Sequence, residues 1–102
     1  MAEKRRPHYA LTEVKRLIRH AESRRITRSA LDGAAALGLT DEDVVACVLG
    51  LTSVDFYKSM PALVDYTLWQ DVYRPRYAGL PLYVKVQIVG GKTVVVISFK
   101  AL

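Results

Sequence analysis

Cysteine and histidine are scarce in this chain of 102 residues, which contains one cysteine and two histidines. A single cysteine cannot form an intrachain disulfide, and no zinc-type ligand set is recognisable. Cys47 falls within a predicted helix without a neighbour that would activate its thiol, which indicates a small buried residue. These scarcities argue against a disulfide scaffold, a thiol enzyme and a zinc enzyme.

Long apolar runs and export signals are missing as well. The basic residues 3–6 are followed by Pro7 and an amphipathic segment, and no apolar run reaches the length of a membrane span. We therefore expect a cytoplasmic protein without a membrane partner. With 51% hydrophobic and 25% charged residues, the chain is expected to form a single domain over residues 1–102.

Several catalytic signatures are also absent. The chain has no glycine-rich phosphate loop after a strand, no HExxH, no GxSxG and no acid cluster of the kind that holds two magnesium ions. Metal-dependent hydrolysis is therefore disfavoured, and we expect neither a bound metal nor a cofactor.

Charge is present but unevenly spread. The formal net charge is +5 and the isoelectric point about 9.6, which favours an anionic partner such as nucleic acid or a membrane surface. Residues 1–30 contain nine bases and three acids, residues 31–55 five acids and no base, and the remainder six bases and two acids. Basic surface is therefore expected from both chain ends.

Residues 82–100 read as a β-hairpin. Gly90-Gly91 suits a two-residue turn, and the flanking runs are rich in β-branched residues. Pairing Val89 with Lys92 sets Val86 opposite Val95, Val84 opposite Ile97 and Leu82 opposite Phe99. One face is then aliphatic, and the other carries Tyr83, Lys85, Gln87, Val94, Val96, Ser98 and Lys100.

The first half of the chain predicts helices. Thr12 is the expected N-cap of a first helix with a cationic outer face. Three later helices are expected to start at Ser29 with Asp32, Thr40 with Asp43, and Thr52 with Asp55. The first of these should end at Gly38, the second at Gly50, and the third should cover residues 53–60.

A further strand is predicted at residues 67–74, before Pro75. Its alternation places Gln70, Val72 and Arg74 on one side and Trp69, Asp71 and Tyr73 on the other. Helices followed by antiparallel strands predict the α+β class.

Lysines, arginines and tyrosines on such a sheet suit phosphate chemistry on RNA. Cleavage without metal requires deprotonation of the 2′-hydroxyl, stabilisation of the phosphorane and protonation of the leaving 5′-oxygen. A lysine acting as the base near pH 7 needs a pKa about 3 units below about 10.4, a shift of about 4 kcal/mol. Lysines can also stabilise the phosphorane electrostatically, while aromatic rings stack unpaired bases. By composition alone, non-catalytic RNA binding ranks ahead of an enzyme.

Two segments carry a family resemblance. Residues 56–60 (FYKSM) and 69–76 (WQDVYRPR) closely resemble the motility quorum-sensing regulator toxins, MqsR. The resemblance extends over nearly the whole chain, at Lys4-Arg5 with Pro7-His8, residues 27–30 and 37–39, Leu82-Tyr83 with Lys85, and residues 98–100.

This resemblance implies a compact RelE-like α+β fold, with N-terminal helices packed on a C-terminal antiparallel sheet. It also implies a type II toxin that acts as a ribosome-independent mRNA interferase on single-stranded, GC-containing sites of the GCU type. The partner would be an MqsA-like antitoxin with a zinc-binding part and a helix-turn-helix DNA-binding half. The zinc would belong to that partner.

The resemblance also implies the active-site positions, namely Lys58, Gln70, Tyr83 and Lys100. We expect the two lysines to stabilise the phosphorane and to transfer protons, Tyr83 to act as acid, base or stacking ring, and Gln70 to orient the RNA. Lys58 is expected at the end of a short helix, and Ser98 opposite Tyr83. The residues expected to bind RNA are Tyr57, Arg74, Arg76, Lys85 and Ser98.

Neither of the two histidines is predicted to be catalytic. A histidine of the family pattern near the hairpin turn is replaced by Gly90-Gly91, and His8 and His20 are interpreted as structural or solvated.

The alternative function is a non-catalytic RNA- or ribosome-binding module that uses the same face. DNA binding through the first helix ranks last, because no recognition-helix pair stands out.

Overall fold

The first half of the chain is mainly helical and the second half extended in the computed structural model, which describes residues 3–102. The helices are α1 (Leu11–Ile18), α2 (Arg28–Ala36) and α3 (Asp41–Leu49), with 3₁₀ turns at Ala21–Ser23 and Ser53–Asp55. The strands are β1 (Arg24–Ile26), β2 (Phe56–Pro61), β3 (Trp69–Tyr73), β4 (Arg76–Tyr77), β5 (Leu80–Val89) and β6 (Thr93–Ala101). No helix within residues 3–102 is long and apolar enough to cross a membrane.

The strands form one mixed sheet in the order β1-β6-β5-β3-β2, with β4 paired to β5 beside this path. The α+β class, with helices packed on a mainly C-terminal sheet, is confirmed. The expectation of a purely antiparallel sheet is wrong, because β1 joins β6 as a parallel edge strand. Its Ile26 packs against the core, and this burial helps to hold the short strand in place.

The hairpin register differs from the prediction. The turn has three residues, 90–92, in which Gly90 and Gly91 have φ of 61° and 69°, so Val89 pairs with Thr93. This shift turns Val94 and Val96 towards the helices, where both are fully buried. The expectation that they share a face with Tyr83 is therefore wrong, since a one-residue slip reverses a strand's faces.

A β-bulge further along β6 returns Ser98 and Lys100 to the face that the sequence predicts for them. Val86 pairs with Val96, but Lys85 pairs with Ser98, so Ile97 is an extra residue in β6. Ser98 therefore lies opposite Lys85, and the prediction that it faces Tyr83 is wrong. Lys100 takes that position.

The predicted helix at residues 53–60 is wrong. Thr52 and Asp55 do form the predicted capping box, but it closes only a 3₁₀ turn. The chain then continues as β2, antiparallel to β3. Phe56 packs against the core and Ser59 is fully buried, so long-range pairing prevails over the local helix signal.

The other helix starts are partly as predicted. Thr40 and Asp43 form the expected capping box of α3. Helix α1 has Ala10 rather than Thr12 as its N-cap, and α2 begins at Arg28, with Thr27 rather than Ser29 as its cap. Gly38 follows α2 in the left-handed region at φ 74°, as expected. Gly50 ends α3 with a φ of −87°, so no left-handed cap forms there.

The core lies between the helices and the inner face of the sheet. Its largest fully buried side chains include Tyr73 and Phe99 from β3 and β6, and Ile18 from α1. Helix α2 approaches β6 closely at Gly33, where a Cβ atom would meet the Phe99 carbonyl oxygen at 1.9 Å. Glycine at this position therefore sets the distance between the helix layer and the sheet.

Candidate functional site

The outer face of the sheet carries a row of paired residues from four strands. Lys58 of β2 pairs with Val72 of β3, Val72 pairs with Lys85 of β5, and Lys85 pairs with Ser98 of β6. Tyr83 and Lys100 form the next pair between β5 and β6. Directly paired residues share a face, so these side chains project together. We call this side of the sheet the open face.

Val72 forms the floor of the open face. It is fully buried, yet it lies outside the core cluster packed beneath the helices. Its direct neighbours on the adjacent strands are Lys58 and Lys85. Long lysine stems can cover an apolar floor while their ammonium groups stay near solvent, so the charges converge above Val72.

Two tyrosine rings lie close to these positively charged side chains. The Lys85 and Lys100 ammonium groups lie 5.9 and 5.1 Å from the centre of the Tyr83 ring. Tyr57, at a bulge in β2, has the Arg74 guanidinium at 4.3 Å and the Lys58 ammonium at 5.5 Å from its ring centre. We call Tyr57, Lys58, Tyr83, Lys85 and Lys100 the lysine–tyrosine cluster.

Lys58 is held in its charged form. It projects from strand β2 rather than from a helix end, and its Nζ atom lies 2.6 Å from Glu3 Oε2. The hydrogen bond to Glu3 raises the pKa of Lys58 above its usual value. Lys58 is therefore suited to stabilising negative charge rather than to acting as a base.

Lys85 has the opposite environment. Burial lowers its pKa first, and the nearby charges of Lys100 and Lys58 lower it further. A lysine at a lowered pKa releases its proton more readily and can accept one from a reactant. The crowding by cations expected from the sequence therefore acts on Lys85, which the sequence analysis assigned to RNA binding.

Tyr83 keeps its hydroxyl protonated. Burial raises its pKa above 10.0, while the Lys58 charge opposes that rise. At neutral pH the side chain therefore presents a hydrogen-bond donor beside two ammonium groups and can donate a proton. Its ring also offers a surface for stacking.

Gln70 is linked to a second amide on the open face. Its Nε2 donates to Gln87 Oε1 at 3.0 Å, and Gln87 is almost fully buried. Because Gln87 lies two residues beyond Lys85 on β5, the pair continues the polar surface away from the cluster. The hydrogen bond fixes the orientation of both amides.

The remaining predicted RNA-binding residues differ in their positions. Ser98 lies beside Lys85, and Arg74 joins the cluster through Tyr57. Arg76 lies on β4, and its guanidinium donates to the Gly79 carbonyl oxygen at 3.0 Å. Within residues 3–102, no hydrogen bond, salt bridge or cation–π pair joins Arg76 to the lysine–tyrosine cluster.

Polar and aromatic side chains on the other side of the sheet are engaged in contacts within the protein. Asp71 is fully buried and accepts hydrogen bonds from the backbone N–H groups of His8 and Tyr9, at 3.0 and 2.9 Å. The His8 ring stacks on Trp69 with a centroid distance of 5.6 Å. Burial raises the pKa of Cys47 to about 12, which fits the prediction of an unreactive thiol.

Sequence reasoning gave no role to three residues of this site. Glu3 approaches Lys58 across 55 positions of the chain, a contact that no local pattern indicates. Gln87 was placed on the correct face by alternation, but nothing in the sequence linked it to Gln70. Val72 alternates with Gln70, and this spacing did indicate that it belongs to the same side of β3.

The site thus combines fixed positive charge, a lysine of lowered pKa, a protonated tyrosine and exposed aromatic surface. Such a set can bind a phosphodiester, accept and donate protons, and stack unpaired bases. No group of three or more His, Cys, Asp or Glu residues that could hold a metal ion occurs in the described part of the chain.

Comparison with known proteins gives two matches. The family model described as motility quorum-sensing regulator, toxin of MqsA, matches residues 6–101. The mRNA interferase toxin MqsR of Escherichia coli (strain K12) is 45% identical over 98 residues, which cover 96% of this chain and 97% of that relative. The family resemblance predicted from the sequence motifs is confirmed.

Proposed function

This chain belongs to the motility quorum-sensing regulator toxin family, and we propose that its lysine–tyrosine cluster is the active site of its mRNA interferase activity. It is a toxin of a toxin–antitoxin system and an endoribonuclease. The observation that carries the proposal is the convergence of Lys58, Lys85 and Lys100 around Tyr83 on one face of the sheet. This arrangement supplies charge stabilisation and proton transfer at one phosphate.

The proposed reaction is attack of the RNA 2′-oxygen on the adjacent phosphorus. Lys85, in its neutral form, accepts the 2′-hydroxyl proton, while Lys58 and Lys100 stabilise the negative charge of the phosphorane. Tyr83 donates its proton to the 5′-oxygen as the bond from phosphorus to that oxygen breaks. The products are a 2′,3′-cyclic phosphate and a 5′-hydroxyl. Proton exchange with solvent then returns Lys85 and Tyr83 to their starting forms.

The substrate is proposed to be single-stranded RNA cut at short GC-containing sites of the GCU type, independently of the ribosome and of metal ions. The exposed Tyr57 ring supports this proposal, because unpaired bases stack on such surfaces. Gln70, held by Gln87, orients the RNA, and Arg74, Arg76 and Ser98 add contacts to it. The GCU preference rests on the family resemblance alone.

The partner of the toxin is an antitoxin. We propose that it is an MqsA-like protein with a zinc-binding part and a helix-turn-helix half, which agrees with the description of the family as the toxin of MqsA. Contact with DNA would then be indirect, through the antitoxin. We also propose that residues 1–102 form one toxin domain and that it acts in the cytoplasm, where messenger RNA is available.

The test is cleavage of a purified single-stranded RNA that contains GCU sites, in EDTA and without ribosomes. We expect products with 2′,3′-cyclic phosphate ends. Tyr83→Phe and Lys85→Gln should each reduce the cleavage rate about 10²- to 10⁴-fold, because each removes a proton-transfer group. Lys92→Gln, in the exposed hairpin turn, removes one charge away from the cluster and serves as the matched control.

Binding measured in parallel separates catalysis from affinity. An RNA with a 2′-deoxy nucleotide at the cleaved position should bind Tyr83→Phe about as well as it binds the unmodified protein. Undiminished cleavage by both site variants would place the active site elsewhere. Bound but intact RNA in every sample would instead support the non-catalytic RNA-binding module.

A further inference from the structure

A cavity of about 380 Å³ opens at the end of the sheet formed by β1 and β6. The residues that line it come from two parts of the chain. Strand β1 and the start of α2 contribute Arg25, Thr27 and Arg28, and the hairpin contributes Val89, Thr93 and Val95. None of these residues belongs to the active site proposed above.

The cavity lies on the open face, in register with the proposed active site. Val95 of β6 pairs with Gln87 of β5 on one side and with Arg25 of β1 on the other. Gln87 in turn holds Gln70 and follows Lys85 by two residues, so all of these side chains project from the same face. Two strand spacings, about 10 Å, separate Gln87 from Arg25.

The charged wall of the cavity suits a phosphate group. A guanidinium presents a planar set of donors that matches phosphate oxygens, and the start of α2 adds the positive end of a helix dipole. Arg25 forms no salt bridge within residues 3–102. Arg28 pairs with Asp32 at 3.2 Å, but the two side chains are 88% and 68% exposed, so this pair is weak and exchangeable.

The opposite wall suits the remainder of a nucleotide. Val89 and Val95 offer apolar surface against which a sugar or an unpaired base can pack. A cavity that combines two guanidinium groups with such a surface fits a nucleotide within a chain better than a small inorganic anion, which would leave the valines uncovered.

We infer that this cavity is a subsite for a nucleotide flanking the cleaved bond, so that a single strand of RNA runs from the lysine–tyrosine cluster, past Gln70 and Gln87, to Arg25. The inference rests on the proposed function, because that function supplies the RNA. It adds a second anchoring point on the same strand, a few nucleotides from the reacting phosphate.

The test compares short and extended RNA substrates. The short RNA spans only the cleaved site, and two longer RNAs extend it by several nucleotides on the 5′ side or on the 3′ side. Cleavage rates at low substrate concentration give the ratio of extended to short RNA for each protein. The variants are Arg25→Gln and Arg28→Gln. Arg19→Gln, at the end of α1 in the helix layer, is the control with the same loss of charge.

We expect one of the two extensions to raise the cleavage rate, and Arg25→Gln to reduce the ratio for that RNA by about tenfold, the size typical of a lost charged hydrogen bond. Binding of the same RNA, made non-cleavable by a 2′-deoxy substitution, should lose about 0.7 from the slope of log affinity against log salt. Arg28→Gln should act in the same direction, and Arg19→Gln should leave both the ratio and the slope unchanged.

Two outcomes would overturn the subsite. One is a ratio and a salt slope that are the same in Arg25→Gln, Arg28→Gln and Arg19→Gln. The other is an unchanged ratio with a loss of antitoxin affinity in the arginine variants, which would assign the cavity to a protein interface. Failure of the proposed function is distinguishable, because the unmodified protein would then cleave neither the short nor the extended RNA.

Discussion

Lys58 and Lys85 point from the same face of the sheet, yet their ammonium groups have opposite surroundings. Glu3 sits beside Lys58, whereas Lys85 is partly buried and faces two other lysines. One lysine is therefore held in its charged form and the other is driven towards its neutral form. These opposite surroundings support the two roles proposed above, Lys58 as an electrostatic stabiliser and Lys85 as a base.

This difference predicts two lysine titrations on opposite sides of the usual pKa of about 10.4. In protein with ¹³C-labelled lysine side chains, NMR should show the pKa of Lys85 below that value and the pKa of Lys58 above it. Glu3→Gln should lower the pKa of Lys58, because it removes the hydrogen-bonded carboxylate. The proposed mechanism uses Lys85 in its neutral form, so it predicts a cleavage rate that rises as the pH rises towards the pKa of Lys85.

Glu22→Gln is the control for this titration, because Glu22 is an exposed acid in a turn away from the cluster. It should leave both lysines unchanged. A pKa of Lys85 at or above 10.4 would contradict its assignment as the base and return it to a binding role.

The site residues differ in how far the sequence could predict them. Tyr83 and Lys100 were placed on one face by strand alternation, and the structure pairs them directly. Glu3 could not be foreseen, since its contact with Lys58 depends on how the N-terminal segment lies along β2. The pKa difference between Lys58 and Lys85 arises from this long-range packing, so local sequence patterns could not predict it either.

Whole elements show the same division between local and long-range information. The capping box of Thr40 and Asp43 predicted the start of α3, because such a signal lies within one helical turn. The similar pair Thr52 and Asp55 did not predict a helix at residues 53–60, where pairing with β3 decides the conformation. The predicted hairpin register was wrong for a related reason. Two neighbouring glycines fit either a two-residue or a three-residue loop, so the sequence does not decide the loop length.

Contact between α2 and β6 provides a test at the scale of elements. Gly33→Ala would place a Cβ atom 1.9 Å from the Phe99 carbonyl oxygen, so the helix or the strand must shift. Overpacking of this kind costs about 1–3 kcal/mol, which exceeds the gain of about 1 kcal/mol in helix propensity. We expect the free energy of unfolding, measured in urea, to fall by about 1–2 kcal/mol.

The matched control is Ser29→Ala, an exposed position of the same helix, which should change the free energy of unfolding by less than about 0.5 kcal/mol. Because Lys100 follows Phe99, a displaced β6 should also slow RNA cleavage in Gly33→Ala. A stabilised Gly33→Ala protein would mean that helix propensity prevails and that α2 can move away from the sheet at little cost.

At the scale of the whole molecule, segments near both ends of the chain pair with strands of the sheet. The N-terminal segment pairs with β2 through Lys4 and Ser59 and is fixed to β3 by the carboxylate of Asp71. Strand β6, at the other end of the chain, lies between β1 and β5. Strand pairing brings Lys58, Lys85 and Lys100 to one face, whereas the acids at residues 41–43 begin α3 in the helix layer.

This distribution predicts how RNA affinity depends on salt. Three lysines contacting phosphates should give a slope of about −2 for log affinity against log salt, at about −0.7 per contact with a single strand. The measurement uses short, non-cleavable RNA at pH 6, because a lower pH favours the charged form of Lys85, whose pKa is lowered by burial. The double variant Lys58→Gln/Lys100→Gln should bring the slope to about −0.7.

A second double variant, Arg5→Gln/Arg6→Gln, has the same net charge but changes the exposed N-terminal segment instead. If the sheet face binds the RNA, this variant should keep a slope near −2, because counterion release depends on phosphate contacts and not on total charge. Equal slopes in the two double variants would show that the positive charge of the molecule attracts RNA without directing it to the lysine–tyrosine cluster. The cluster would then lose its role as the place where the strand is held for cleavage.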